Sequence, residues 1–359
     1  MKATRHPMAV LLAMIALGSW SGDASAQGRQ KAVDRGPLLT WAHRITSTKG
    51  WSVWDYAWLS NDSILAFHLV PGTTGVDQAF EVDVRTRHQQ PLEGFNQELR
   101  QLKGVSRWAL HPVLSPDHRW LFWYDAKMGS PGTKWLALRL DGSQAVVGNT
   151  SYFWVTGGVW SQHSDEWIAL FGYKGQLKAI HYSLASPEAP LHEAPIADTS
   201  DLDHFSPILG LTPTGEAILD DAQLYRTGSL RFLTVDVQAG QRPTRTWNVA
   251  SPRGSQAEWT RVVLSPHADR LAWLLCFDKP DRNRRLTKRC RATFEIWISE
   301  LNGSKMHMVG YQPVKRIKHH IYADALLALG WLPDGKHLSF TTWSVSNHSE
   351  DALYTIPAN

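Results

Sequence analysis

The residues of this chain most densely equipped for chemistry lie between and just beyond its two cysteines, Cys276 and Cys290. The stretch between them carries Arg282, Arg284, Arg285, Lys288 and Arg289, and a second basic run follows at Lys315, Arg316 and Lys318, ahead of His319 and His320. Guanidinium and ammonium groups at this density raise the local positive potential and attract anions. Carboxylates, sulfates and phosphates suit a guanidinium best, because its planar fork can donate two parallel hydrogen bonds. The formal net charge of the whole chain is only +4, so the attraction is local, and a nucleic-acid partner is not implied. The expected partner is a protein or peptide, with an acidic segment or an anionic glycan as the chemistry recognised.

Bond-making chemistry is not signalled. There is no Gly-x-Ser-x-Gly elbow, so acyl transfer has no nucleophile signature. Nor is there a His-Glu-x-x-His, a Cys-x-x-Cys or a complete EF-hand loop. Asp201, Asp203 and His204 form one suggestive group and His319-His320 another; both read as surface-loop residues. No catalytic residue, metal ligand or cofactor is therefore assigned. The isolated cysteine pair in an exported chain predicts one disulfide, Cys276–Cys290. Closing a loop of about 15 residues contributes roughly 3 kcal/mol in the chain-entropy description.

The elements that must carry these residues repeat six times. A short apolar strand runs into a Ser-Pro-Asp-like turn and a second apolar strand follows at once. The turns are Leu59-Ser60-Asn61-Asp62, Leu114-Ser115-Pro116-Asp117, Trp160-Ser161-Gln162-His163-Ser164-Asp165, Leu211-Thr212-Pro213-Thr214-Gly215, Leu264-Ser265-Pro266-His267-Ala268-Asp269 and Trp331-Leu332-Pro333-Asp334-Gly335. The period of roughly 50 residues fits a four-stranded propeller blade. Each turn leads into a near-continuous apolar run such as Trp120-Leu121-Phe122-Trp123, as expected of a strand packed on both faces. A third, often alternating strand follows, for example Phe294-Glu295-Ile296-Trp297-Ile298, and Asp141-Gly142 and Asn302-Gly303 supply tight hairpin turns to a fourth. The fourth repeat is the poorest match, with Thr214-Gly215-Glu216 in the turn. The 18 tryptophans suit half-buried strand faces, and most are expected in blade cores.

The predicted fold is all-β: a six-bladed propeller of four-stranded antiparallel blades over residues 37–359. The last repeat stops after its third strand, and an unpaired edge is a liability. Residues 37–43 are expected to supply the missing strand and close the ring. Upstream, Lys2 and Arg5, an apolar run from Met8 to Leu17 and Ala24-Ser25-Ala26 describe a secretory signal peptide over residues 1–26, followed by a mobile segment, 27–36. The apolar run is shorter than the roughly 20 residues that span a bilayer, and no Cys follows the cleavage site. A periplasmic or secreted protein with no transmembrane segment in its mature chain is expected.

The turns resemble the TolB-like propeller repeats, relatives of the WD-repeat group. Their pattern is an aromatic residue or leucine, Ser-Pro-Asp-Gly, then an apolar strand; Leu114-Ser115-Pro116-Asp117 and Trp331-Leu332-Pro333-Asp334-Gly335 with Leu338-Ser339-Phe340 match it. Leu264-Ser265-Pro266 matches with one residue inserted before Asp269. The resemblance implies the fold; such repeats serve scaffolds, peptidase accessory domains and lyases alike.

In such a propeller the loops joining strands two and three share one face with the connections between blades. Residues 277–289 are of the first kind and 315–320 of the second, so the two basic runs are expected as one patch there. Gly94–Val105, Pro187–His204 and Ala250–Glu258 are expected on the same long-loop face, which makes it the expected binding face. The function expected is that of an exported, non-enzymatic binding or scaffold propeller. The alternative is a propeller lyase or hydrolase acting on an anionic polysaccharide in the central cleft.

Overall fold

A computed structural model describes residues 39, 42–47, 51–69, 76–102, 109–125, 133–150, 158–173, 176–186, 192–196, 208–221, 228–236, 244–254, 259–278, 291–318, 321–322, 324–344 and 352–359. All belong to one compact unit, Gly36–Asn359. The expected signal peptide and mobile segment, residues 1–36, lie outside the described residues.

Six antiparallel sheets follow one another along the chain. Blade one is β2 (Trp51–Trp58), β3 (Ser63–Leu69), β4 (Val76–Asp83) and β5 (Gln89–Pro91). A helix, α1 (Glu93–Gln101), leads to blade two: β6 (Ala109–Leu114), β7 (Trp120–Asp125), β8 (Thr133–Arg139) and β9 (Ala145–Thr150). Blade three is β10 (Gly158–Trp160), β11 (Glu166–Tyr173), β12 (Gln176–Ser183) and β13 (His192–Ile196), and blade four is β14 (Ile208–Leu211), β15 (Ala217–Asp221), β16 (Ser229–Val235) and β17 (Arg245–Ala250). Blade five has a fifth strand: β18 (Trp259–Leu264), β19 (Arg270–Asp278), β20 (Arg291–Glu300), β21 (His307–Lys318) and β22 (Ile321–Tyr322). Blade six is β23 (Asp324–Trp331), β24 (His337–Ser344) and β25 (Ala352–Pro357), completed by β1 (His43–Ser47) from the start of the propeller.

The ring therefore closes through an N-terminal strand, but a few residues later than the sequence suggested. The pairing runs from His43 opposite Thr355 to Ser47 opposite Ala352, so the expected segment 37–43 contributes only its last residue. Leu39 is instead buried in the core beside blades five and six. The physical need is the same: β25 leaves a row of backbone donors and acceptors that must be paired.

Apolar residues on both faces of the middle strands fill the spaces between blades. Between blades two and three the filling is aromatic: Phe122 stacks on Trp167 at a centroid distance of 3.9 Å and on Trp135 at 5.6 Å. Gly148 makes room for this stack, since a Cβ there would stand 2.1 Å from the buried ring of Trp135.

The segment from Gly94 to Val105, expected as a long loop, begins instead as α1. Phe95 and Leu99 bury one helix face against Leu65, Phe67 and Leu121. The buried Asn96 amide accepts a hydrogen bond from the Ala79 N–H at 2.7 Å and donates one to the Ala79 carbonyl at 2.8 Å. It thus satisfies the edge of β4 just where the three-residue β5 runs out. Gly94 also lies against the Asp141-Gly142 turn, at the end of blade two that carries the strand-one to strand-two turn. That places the start of the helix away from the long-loop face.

Candidate functional site

The innermost strands β2, β6, β10, β14, β18 and β23 face one another around the propeller axis. They wall a funnel of about 1010 Å³ whose mouth is formed by the Ser-Pro-Asp turns. In blades one to five the turn is built by the hydroxyl of its Ser or Thr, whereas in blade six Asp334 Oδ1 accepts from the Lys336 and His337 N–H groups. Ser115 Oγ accepts from the Arg119 and Trp120 N–H groups at 3.2 and 2.9 Å and donates to Asp117 at 2.5 Å. Ser265 Oγ does the same with the N–H groups of Asp269 and Arg270 and the Asp269 carboxylate. Proline suits the next position because its fixed φ fits the turn and no backbone N–H is needed there.

The blade-five turn contains no inserted residue. The Ser115 N–H bonds the carbonyl of Trp120 and the Ser265 N–H that of Arg270, so both turns have the same length. Only the aspartate has moved, from two to four residues after the serine, and it reaches the same hydroxyl from there. In blades two to six the residue three after the serine position has positive φ. Gly215 and Gly335 fill it in blades four and six, but His118, Ser164 and Ala268 hold it at 57°, 61° and 55°, in the region that normally favours glycine.

Where proline is replaced, the substitute ties one blade to the next. Gln162 donates its side-chain amide to the carbonyls of Thr212 and Pro213 at 3.3 and 3.0 Å. Asn61 accepts the Asp334 N–H at 3.1 Å. Deeper down, Trp160 donates to the Val113 carbonyl and Trp331 to that of Val263. These bonds fix the mouth as one rim.

The wall is mainly apolar, with Val113, Val159, Leu209, Leu264 and Leu329 contributed by five blades and Pro116, Pro213, Pro266 and Pro333 at the mouth. Among the described residues the lining holds Arg261, His118 and His267 and no carboxylate. Tyr56 donates its hydroxyl to the carbonyl of Ala328 at 2.8 Å and lies 2.8 Å from Ser339 Oγ, which also accepts from Trp58 Nε1. Burial pushes the Tyr56 phenol up to about 12, against the opposing effects of the Ser339 hydrogen bond and the Arg261 charge. Ala328 sits at φ 46° beside a bulge in β23. Arg261 and Tyr56 were not singled out in the sequence. The available signal was a charged residue in the apolar run Val262-Val263-Leu264 at the end of an innermost strand.

The long-loop face is only partly described. Arg282, Arg284, Arg285, Lys288 and Arg289 lie outside the described residues, as do Asp201, Asp203, His204, His319 and His320. Lys315, Arg316 and Lys318, expected in a connection between blades, lie in the last turns of the strand pairing: β21 continues through them, and Arg316 and Lys318 pair with Tyr322 and Ile321 of β22. The register sets Lys315 opposite Arg291 and Asp278 opposite Ala292. Both ends of the 279–290 segment therefore emerge at the end of blade five where the second basic run sits.

Cys276 is buried in the core between blades five and six. Cys290 lies outside the described residues, so the expected bridge is not observed. Cys276 lies opposite Phe294 in the β19–β20 register.

Among the described residues, no three of His, Cys, Asp or Glu are grouped to hold a metal ion. No helix among them is long and apolar enough to cross a membrane. No family model matches the chain, and no curated protein matches it. Solved structures similar to this chain match it at low identity. Hydrazine synthase from Kuenenia stuttgartiensis is 12% identical, with 89% of this chain and 90% of that one covered, at a TM-score of 0.46. TolB from Acinetobacter baumannii is 12% identical with 82% and 63% covered at 0.47. The β-propeller domain of the trilobed protease from Pyrococcus furiosus is 8% identical with 86% and 95% covered at 0.45.

Proposed function

We propose that this chain is an exported binding propeller that recognises a protein or peptide through the funnel on its Ser-Pro-Asp turn face. One observation carries the reading: a rigid, mainly apolar funnel whose described lining includes an arginine and no carboxylate. Sites that bind ligands combine apolar walls with a few placed polar groups. Polysaccharide hydrolysis instead relies on paired carboxylates, and the described lining holds none. The long-loop face, expected from its long loops and its basic runs, becomes the second surface.

A photo-crosslinking residue tests this at three positions: Pro213 on the mouth, Ser143 on the outer turn of blade two, and Lys318. Adducts with a partner from the native envelope at position 213 and not 143 are the expected result. Equal adducts at 213 and 143, or none at 213, overturn it.

The second reading rests on the register that brings Lys315 opposite Arg291. It takes Arg282, Arg284, Arg285, Lys288, Arg289, Lys315, Arg316 and Lys318 as one basic patch for an acidic segment or anionic glycan. Adducts confined to position 318 favour it. Binding there weakens with salt, since exposed charges are screened over about 10 Å at 0.1 M.

A further inference from the structure

We infer that Tyr56 is a latch on the closing seam of the ring: its hydroxyl holds Ala328 of blade six in a left-handed conformation, and its release lets the funnel wall part between blades six and one. This goes beyond the funnel reading above and holds whatever the funnel binds. It starts from one backbone outlier. Ala328 stands at φ 46° inside the strand β23. The other non-glycine residues of positive φ among the described residues, Arg87, His118, Ser164, Ala268 and Lys305, all lie in connections between strands. A residue with a Cβ disfavours this conformation, and the strain persists only where the surroundings over-determine it.

Those surroundings come from blade one. The Tyr56 hydroxyl donates to the Ala328 carbonyl at 2.8 Å. With its one proton committed there, the phenol oxygen accepts from Ser339 Oγ, also at 2.8 Å. Ser339 Oγ in turn accepts from Trp58 Nε1 at 2.8 Å. The β23–β24 register shifts between Leu327 and Gly330. At such a bulge the extra residue leaves the ladder, which frees the Ala328 carbonyl for the tyrosine.

Other seams are joined without strain. Trp160 of blade three donates to the Val113 carbonyl of blade two, and Trp331 of blade six to the Val263 carbonyl of blade five. Neither acceptor residue has positive φ. The seam between blades six and one is thus the one of these three that combines an aromatic donor with a strained acceptor. Tyr56, Trp58, Ala328 and Gly330 all line the funnel, so the state of this seam sets the width of its wall. In the latched state the tyrosine bond offsets the strain at Ala328. In the released state Ala328 relaxes to extended backbone and its carbonyl turns from the tyrosine.

The test uses the purified protein with Tyr56→Phe, Ala328→Gly and the two together. Urea unfolding gives folding constants, and amide hydrogen exchange over Asp324–Trp331 reads local opening. Glycine takes positive φ freely but is unfavourable in an extended strand, so Ala328→Gly reports which backbone state is occupied. Its effect on the folding constant is expected to be at least about fivefold more favourable in the parent than beside Tyr56→Phe. Tyr56→Phe is expected to speed exchange over β23 by about tenfold while β12 and β16 keep the parent's rates. Equal effects of Ala328→Gly in both backgrounds overturn the inference. So does exchange that stays unchanged, or that quickens evenly through all blades. Should Tyr56→Phe fail to fold, Ala328→Gly alone decides. It relieves the strain with the bond kept, so exchange over β23 should slow, and exchange as fast as in the parent or faster overturns the latch.

Discussion

Glu295 is buried on β20, and both its oxygens are covered. Arg253, from the turn that follows β17, donates to it from Nε at 2.8 Å and Nη2 at 2.5 Å, and Trp297 donates from Nε1 at 2.8 Å. The pair ties the link between blades four and five to the third strand of blade five. Removing one member leaves an uncompensated buried charge, at a cost of about 3–5 kcal/mol. Glu295→Ala should lower the urea midpoint accordingly, while Glu295→Leu with Arg253→Met should recover most of the loss. A single variant as stable as the parent would show that the pair holds nothing together. Asp117 offers a pH test. Burial pushes its carboxyl up, but the Ser115 hydroxyl, the Arg119 N–H, Ser164 and the Arg119 charge outweigh this, and the net shift is down from 3.8. A depressed folded value stabilises the protein above the unfolded value and loses that contribution as pH falls through the folded one. Asp117→Asn should therefore destabilise at pH 7, and the gap should close as pH falls through the depressed folded value. A stability gap that does not narrow in acid contradicts the assignment.

At the scale of elements, the hairpin β19–β20 holds Cys276 opposite Phe294 and deep in the core. The Cys276–Cys290 bridge expected from the sequence predicts that alkylation of unreduced, denatured protein labels no thiol, and two labelled thiols would rule it out. Most of the strands could be read directly from the chain, because apolar runs, Asp-Gly turns and the Ser-Pro-Asp anchors each state a local preference. Even blade four, the weakest match, forms all four strands. The helix was not readable in this way. Its role is to cover the edge of β4 with Asn96, and nothing local in Glu93–Gln101 announces which edge lies beside it. The extension of β21 through Lys315–Lys318 was missed for a related reason: a basic run reads as a loop until a partner strand, here β20 and β22, supplies its hydrogen bonds.

For the whole molecule, closure is the property with the largest leverage. The strand β1 pairs with β25 across the full circuit of the ring, so deleting residues 37–47 should expose that edge and uncouple blade six. A loss of several kcal/mol is expected, a large share of a net stability of roughly 5–15 kcal/mol. Thermal melting of the truncated chain checks it, and a melt matching the parent would show that the ring holds without its closing strand. Deleting only residues 37–42 should cost less, because the paired residues remain and the main loss is the buried Leu39.

What the sequence determined by itself was the number of blades, their strand order and the need for an N-terminal strand at closure. Those follow from local turn chemistry and apolar patterning repeated along the chain. What only the tertiary structure decided was where the six blades point their side chains once the ring is closed. Arg261, Tyr56 and Ala328 come from three different blades and share one funnel, and no spacing along the chain encodes that proximity. The same holds for Gln162 and Asn61. Each reads as a departure from proline in its own turn, yet each is explained by a bond to the neighbouring blade. Local preference is written residue by residue, whereas a site on the axis of a propeller exists only after long-range closure has brought its parts together.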